Sequence, residues 1–121
     1  MLNFRYLFSV GECGYFCVRK IVGKCKIENK KYMSLYEIKD NLNKKGYWCE
    51  GRLIDAINGV VGQCVSIVKK GKFNYHYVII KRVTNKYVHI YDPLFLGVKR
   101  VKKERFIKKW IKICLFYEKI C

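Results

Sequence analysis

The first residues that could do chemistry lie in the stretch GECGYFC, residues 11–17. Cys13 stands there between an acid and a glycine, where apolar residues begin to recur at helical spacing. The free N–H groups and the dipole at a helix N-terminus favour a reactive thiolate over a thiol. Cysteine is also a common filler of small gaps in apolar cores. By itself, the stretch is compatible with a nucleophile and with a core residue.

A cysteine nucleophile needs an imidazole to hold it as a thiolate, and that imidazole needs a group to orient its other nitrogen. The chain has two histidines, His76 and His89. His76 and Asp92 lie eight residues before and after Thr84, so a hairpin centred there would place them opposite each other. Such pairs have Cβ atoms about 5 Å apart, and Asp92 would accept the Nδ1 proton of His76. His89 has the wrong parity and points away from Asp92. The candidate catalytic residues are therefore Cys13, His76 and Asp92.

Each candidate also has a structural interpretation. His76 could be a half-buried strand histidine bonded to a backbone group, and an Asp-Pro pair such as the one at Asp92 ends many strands. Cys17, one helical turn after Cys13, is expected to be a core residue. A zinc site built from Cys13, Cys17, Cys25 and a histidine is a further alternative, but its spacing matches no common zinc finger. We expect no metal and no cofactor.

The elements that must position these residues change in type along the chain. Apolar spacing predicts a helix over residues 13–24 and a second over 34–45, which opens with a capping box of Ser34 and Glu37. A third, short helix is predicted over 52–58. The predicted strands are 64–68, 75–83, 87–92, 98–101 and 111–117, with a short helix over 102–110. Helices followed by antiparallel strands predict an α+β fold.

The length and the composition indicate one globular domain, residues 1–121, with a helical part over about 1–60 and a sheet part over about 61–121. The seven cysteines show no disulfide framework, which indicates a reducing cytoplasm. The N-terminal apolar run is too short for a signal peptide. The net charge of +17 would attract an anionic partner, although dispersed lysines also fit the composition of an AT-rich genome.

Taken together, the motifs resemble those of the double-glycine leader peptidases. These are papain-like cysteine peptidase domains of ABC transporters that export bacteriocins and other peptides. The resemblance covers nearly the whole chain. It includes an acidic residue before Cys-Gly (12–14), the HYVII stretch (76–80), the YDPLFLG stretch (91–97) and the ERFIKKW stretch (104–110).

The resemblance implies a papain-like fold and cleavage of a leader after a Gly-Gly or similar pair. Cys13 would be the nucleophile, His76 the general base and acid, and Asp92 the residue that orients His76. The family carries a Gln six residues before the nucleophile as an oxyanion donor, and here that position is Leu7. The enzyme could therefore be degenerate.

Three candidate functions are compatible with the sequence. The first is a peptidase at the cytoplasmic face of the membrane, with a leader peptide and ABC transporter domains as partners and with contact to the anionic inner membrane surface. The second is a catalytically silent module of the same fold that binds leaders or docks on a transporter. The third is a basic nucleic-acid binder that stacks bases on its tyrosines. The third lacks the signature of any common nucleic-acid-binding fold, so no nucleic-acid partner is expected.

Overall fold

The computed structural model describes residues 12–23, 33–70, 74–93 and 97–120. Helix α1 spans Glu12–Val22 and ends at Gly23, whose φ of +77° is a conformation that glycine adopts easily. Helix α2 spans Leu35–Lys44, and the capping box that the sequence predicts is present. Ser34 Oγ accepts from the Glu37 backbone N–H at 3.1 Å, and the Glu37 carboxylate accepts from the Ser34 N–H at 2.9 Å. Both predicted N-terminal helices are confirmed.

Six strands form one antiparallel sheet in the order β1-β6-β2-β3-β4-β5. The strands are β1 Tyr47–Leu53, β2 Cys64–Lys70, β3 Asn74–Val83, β4 Tyr87–Asp92, β5 Gly97–Lys102 and β6 Trp110–Lys119. A short 3-10 helix, Ile57–Gly59, follows β1, and helix α3, Lys103–Lys109, connects β5 to β6. None of the helices in the described ranges is long and apolar enough to cross a membrane.

Each face of the sheet has its own buried cluster. Helices α1 and α2 cover one face, where Cys13, Cys17 and Ile38 pack against Tyr77 and Ile79 of β3. Helix α3 and the 3-10 helix cover the other face, where Phe106 and Trp110 pack in a cluster with alternate residues of β2, β3 and β4. The predicted α+β architecture, with helices first and antiparallel strands after them, is confirmed.

The predicted third helix, residues 52–58, is wrong. Those residues contain the end of strand β1 and the start of the 3-10 helix. Strand β1 is an edge strand that pairs only with β6, and Cys49 is its one buried residue. An edge strand with a single buried residue has no alternating apolar pattern, and its partner lies sixty or more residues later in the chain. Local sequence therefore carries little signal for it.

The register of the β3–β4 hairpin also corrects the prediction. Ile79 pairs with Tyr91, and the register shifts before Val83 pairs with Val88. The turn therefore falls after Thr84. Continuing the register outward from Ile79 and Tyr91 places Asp92 opposite Val78 rather than opposite His76. The irregularity adds a residue on one side of the ladder, and a symmetric count about Thr84 cannot anticipate it. His76 and Asp92 are diagonal neighbours on one face and not directly opposite residues.

Candidate active site

The diagonal arrangement still brings His76 and Asp92 together. Their side chains meet at 3.5 Å, between His76 Nε2 and Asp92 Oδ1. Both residues are buried, with exposures of 6% and 4%. Diagonal neighbours have Cα atoms about 7–8 Å apart, a separation that an imidazole and a carboxylate can bridge. The sequence therefore predicts the pairing correctly, but the register that produces it incorrectly.

The pairing uses Nε2 of His76, whereas the expectation was Nδ1. Neither ring nitrogen makes a hydrogen bond within the described part of the chain, since 3.5 Å with this geometry is only an ion-pair contact. A buried imidazole without hydrogen bonds is uncommon in folded proteins. With Asp92 beside Nε2, Nδ1 is the ring nitrogen farther from the carboxylate.

A third charged residue, Lys99 of β5, also reaches the pair. Its Nζ lies 3.7 Å from Asp92 Oδ2, so the two carboxylate oxygens face different partners. Asp92 pairs with Gly97 across the β4–β5 ladder, which places Lys99 two residues beyond that pair on the same face. The sequence analysis missed Lys99. The signal that could have found Lys99 is the alternation of side chains along β5, which puts Lys99 on the same face as Gly97. The predicted β5 begins one residue later, at Val98.

Cys13 is placed by helix α1. It lies in the first turn, is only 1% exposed, and packs in the cluster of Tyr77 and Tyr91, the neighbours in sequence of His76 and Asp92. Helix α1 contacts strand β3, which carries His76. Burial, followed by the charges of Cys17, Cys13 and Glu37, raises the pKa of Tyr77 to about 12. Cys13 thus packs against Tyr77 and Tyr91, whose side chains alternate with those of His76 and Asp92 across the sheet.

Gly14 explains why a glycine follows the cysteine. A Cβ at this position would lie 3.0 Å from Met33 Cβ and 3.2 Å from Ile38 Cδ1. Both distances are shorter than ordinary van der Waals contacts, so only glycine lets the start of α1 approach α2 this closely. The Cys-Gly pair therefore has a packing reason that is separate from any chemistry.

His76 borders cavities on both faces of the sheet. One cavity of about 320 Å³ is mainly apolar and is lined by His76 together with Ile67, Tyr75, Tyr77 and Ile111. The other, of about 680 Å³, contains both His76 and Asp92 in its lining and is rich in basic residues. His76 thus lies between the two cavities.

Cys17 is fully buried, and this burial is the main reason that the pKa of its thiol is raised well above the usual range. The charges of Cys13 and Asp92 raise the pKa further. A buried thiol of this kind is unreactive, which supports the core interpretation of Cys17. His89 pairs with Arg82 in the hairpin and lines neither cavity that contains His76. In the described part of the chain, no group of three or more His, Cys, Asp or Glu residues could hold a metal.

Two sequence predictions fall outside the described residues. They are Leu7, at the position of the family's oxyanion glutamine, and Cys25 of the zinc alternative. The one glutamine in the chain, Gln63, accepts a hydrogen bond from the Tyr117 hydroxyl at 2.8 Å. It is exposed at the start of β2 and lines neither cavity that contains His76.

Comparison with protein families gives one match. Residues 30–120 match the family described as the peptidase C39 family. This match covers three quarters of the chain and includes His76 and Asp92, and it begins after Cys13. A comparison with curated proteins found no significant match.

Solved structures share the fold over nearly the whole chain. The peptidase domain of Streptococcus mutans ComA, in complex with a small-molecule inhibitor, matches with a TM-score of 0.73 and 24% identity, over 90% of this chain and 93% of that one. A double glycine motif protease from an AMS/PCAT transporter, in complex with the leader peptide, matches with a TM-score of 0.66 and 18% identity, over 88% and 83%. The N-terminal peptidase C39-like domain of a Vibrio parahaemolyticus toxin secretion ATP-binding protein matches with a TM-score of 0.61 and 6% identity, over 89% and 94%.

At these identities the structural matches establish the fold, and the family match establishes the relationship. The resemblance to double-glycine leader peptidases that the motifs predict is therefore confirmed. The buried His76–Asp92 pair lies within the matched residues. This chain belongs to the peptidase C39 family.

Proposed function

We propose that this protein is a cysteine peptidase that removes the leader of a small secreted peptide after a Gly-Gly-type junction. It would act in the cytoplasm, at the face of the membrane, together with an ABC exporter in the same chain or a separate one. The observation that carries the proposal is the buried contact of His76 with Asp92, on a sheet against which α1, with Cys13 in its first turn, packs through β3. The transporter and the leader are named in the descriptions of the matched structures, and we extend them to this chain.

Each residue has a defined part in the reaction. Asp92 orients His76 through Nε2, which leaves Nδ1 to take the proton of Cys13. The Cys13 thiolate attacks the carbonyl carbon of the second glycine. The C–N bond breaks as His76 gives its proton to the leaving amine, and a thioester forms. Water, deprotonated by His76, then hydrolyses the thioester, and the leader leaves with a free carboxylate.

The proposal is tested with a synthetic peptide that has an amphipathic leader, a Gly-Gly junction and a short following segment. We expect the wild-type protein to cut after the second glycine, as identified by the product masses. Cys13→Ala and His76→Ala should lose cleavage. Cys17→Ala is the matched control. It removes a different thiol, one helical turn after Cys13, and should keep cleavage. Cleavage by Cys13→Ala at the wild-type rate would contradict the proposal.

A second candidate is a silent module that binds leaders without cutting them, and Leu7 is the observation that favours it. The backbone N–H of Cys13 can donate one hydrogen bond to the oxyanion, but a leucine side chain donates none. Losing one oxyanion donor typically costs about 10²–10³ in turnover. We therefore expect a slow peptidase. We expect Leu7→Gln to raise turnover by about one to three orders of magnitude, with the cost of one oxyanion donor as the upper limit.

The measurement is single-turnover cleavage by both proteins, with leader affinity measured in parallel. Leader affinity should change little, because the new amide contacts the transition state and not the bound leader. A Leu7→Gln protein that binds leader and shows no cleavage would favour the silent module. Leu7→Ala is the control that changes the same position without supplying a donor.

A further inference from the structure

The larger cavity next to the candidate active site has an unusual charge. Its walls are strand β5 and helix α3, and its lining includes His76 and Asp92. Six basic side chains line it: Lys69, Lys99, Arg100, Lys102, Arg105 and Lys109. The acidic residues in the lining are Asp92 and Glu104. We call this cavity the basic cleft.

Most of these cations have no acidic partner. Lys99 contacts Asp92, but Lys69, Lys102, Arg105 and Lys109 make no ion pair with the described residues. A solvated helix face would turn its lysines and arginines outward in several directions. Here Arg105 and Lys109, one helical turn apart on α3, both line the same concavity as the residues of β5. Charges of one sign in a concave site focus the field and attract an anion.

One cation is held in a fixed orientation. The Arg100 guanidinium carbon lies 4.3 Å from the centre of the Tyr87 ring. Both residues line the edge of the cleft, since they alternate with Val101 and Val88 of the buried cluster beneath it. A stacked guanidinium uses its flat face for the ring and keeps its N–H groups at the edge free for hydrogen bonds. Guanidinium N–H groups match a carboxylate in a two-bond contact. The cleft therefore suits an anionic ligand group, and in a peptide that group is a carboxylate.

We propose that the basic cleft binds Asp and Glu side chains of the peptide substrate, close to the scissile bond. This inference rests on the proposed function for the nature of the substrate. A peptide whose scissile bond lies at His76 is next to the cleft, because His76 is part of its lining. A concavity of about 680 Å³ fits a few side chains of an extended peptide and does not fit a flat membrane surface. The substrate class is thus a leader peptide with acidic residues beside its cleavage junction.

The test measures binding separately from catalysis, in the Cys13→Ala protein. The probes are two fluorescent peptides with a Gly-Gly junction, one with Asp and Glu beside the junction and one with Asn and Gln there. Exposed charge contacts of this kind typically contribute up to about 1 kcal/mol each. We expect Arg105→Gln with Lys109→Gln to weaken binding of the acidic peptide by about 3–30-fold and to leave the neutral peptide unchanged.

The matched control is Lys44→Gln with Lys45→Gln at the end of α2, which changes the net charge of the protein equally. It should leave the affinity of the acidic peptide within about twofold of the unsubstituted protein, and rising salt should remove the difference between the two peptides. Equal effects of both double variants would overturn the proposal in favour of overall charge. Equal binding of the two peptides, or no binding of either, would overturn it as well.

Two further arms separate other polyanions. A single-stranded oligonucleotide and vesicles of phosphatidylglycerol are measured with the same variants. If the cleft substitutions weaken either of these more than the acidic peptide, the site is not a peptide site. Because affinity is read without turnover, failure of cleavage by the wild-type protein would sink the proposed function and leave this result standing.

Discussion

At the scale of single residues, the sequence identified His76 and Asp92 because their chemistry and separation are unusual together. The structure brings them to 3.5 Å by a different route, through a shifted register and Nε2. A hairpin irregularity depends on packing across the whole sheet, so residue counting could not find it. Lys99 was missed for a related reason: its contact with Asp92 depends on where β5 starts.

Tyr77 offers a prediction about pH at this scale. Its pKa is raised to about 12, mainly by burial, whereas an exposed tyrosine in the unfolded chain titrates near 10. Because the pKa of Tyr77 is higher in the folded state, the contribution of Tyr77 to the free energy of unfolding is fully present below pH 10. That contribution is lost as pH rises toward about 12. The loss amounts to about 2–3 kcal/mol. Tyr77→Phe should remove this part of the pH dependence.

The measurement is urea unfolding at a series of pH values from neutral to strongly alkaline, in the presence of a reductant. The free energy of unfolding should fall less steeply in Tyr77→Phe than in the wild type through the alkaline range. Tyr36→Phe is the matched control, since Tyr36 is 76% exposed and its substitution should not alter the slope. Parallel curves for wild type and Tyr77→Phe would contradict the assignment.

At the scale of elements, the predicted helices and central strands agree with the structure because local signals specify them. The capping box fixes the start of α2, and apolar runs mark β2, β3 and β4. Strand β1 has no such signal, because only Cys49 is buried and the pairing is with distant β6. Strand β1, which combines a remote partner with a single buried residue, is therefore the strand that the sequence did not predict.

Gly14 gives a test of how α1 packs on α2. A new Cβ would be 3.0 Å from Met33 Cβ, and this neighbour is not the mobile end of a side chain. Overpacking of this kind typically costs about 1–3 kcal/mol, which exceeds the gain in helix propensity from alanine. Gly14→Ala should therefore lower the free energy of unfolding, measured in urea.

Gly51→Ala is the control for that substitution, because nothing lies within 4 Å of the Cβ that it adds. Its effect should stay within about 0.5 kcal/mol. A Gly14→Ala protein as stable as the wild type would mean that α1 is free to move away from α2. The close approach would then not be what positions Cys13.

At the scale of the whole molecule, the proposed site draws its residues from two layers of the fold. The helical layer carries Cys13 at the start of α1, and the sheet carries His76 and Asp92 on neighbouring strands. Helix α1 packs on β3, the strand that carries His76. The net charge of +17 is spread over the sequence, yet in space several of its cations line one cleft beside this site. Sequence order alone cannot reveal that clustering.

The central claim is that Cys13 is the nucleophile and that His76 activates it. It is tested most directly with a peptide chloromethyl ketone that ends in Gly-Gly. This reagent binds as the leader does and alkylates the enzyme thiolate that lies at the cleavage position. Intact mass should show a single adduct, and peptide mapping should assign it to Cys13 among the seven cysteines. His76→Ala should slow its formation strongly, and Asp92→Asn should slow it less. An adduct on any other cysteine, or an equal rate in His76→Ala, would contradict the account.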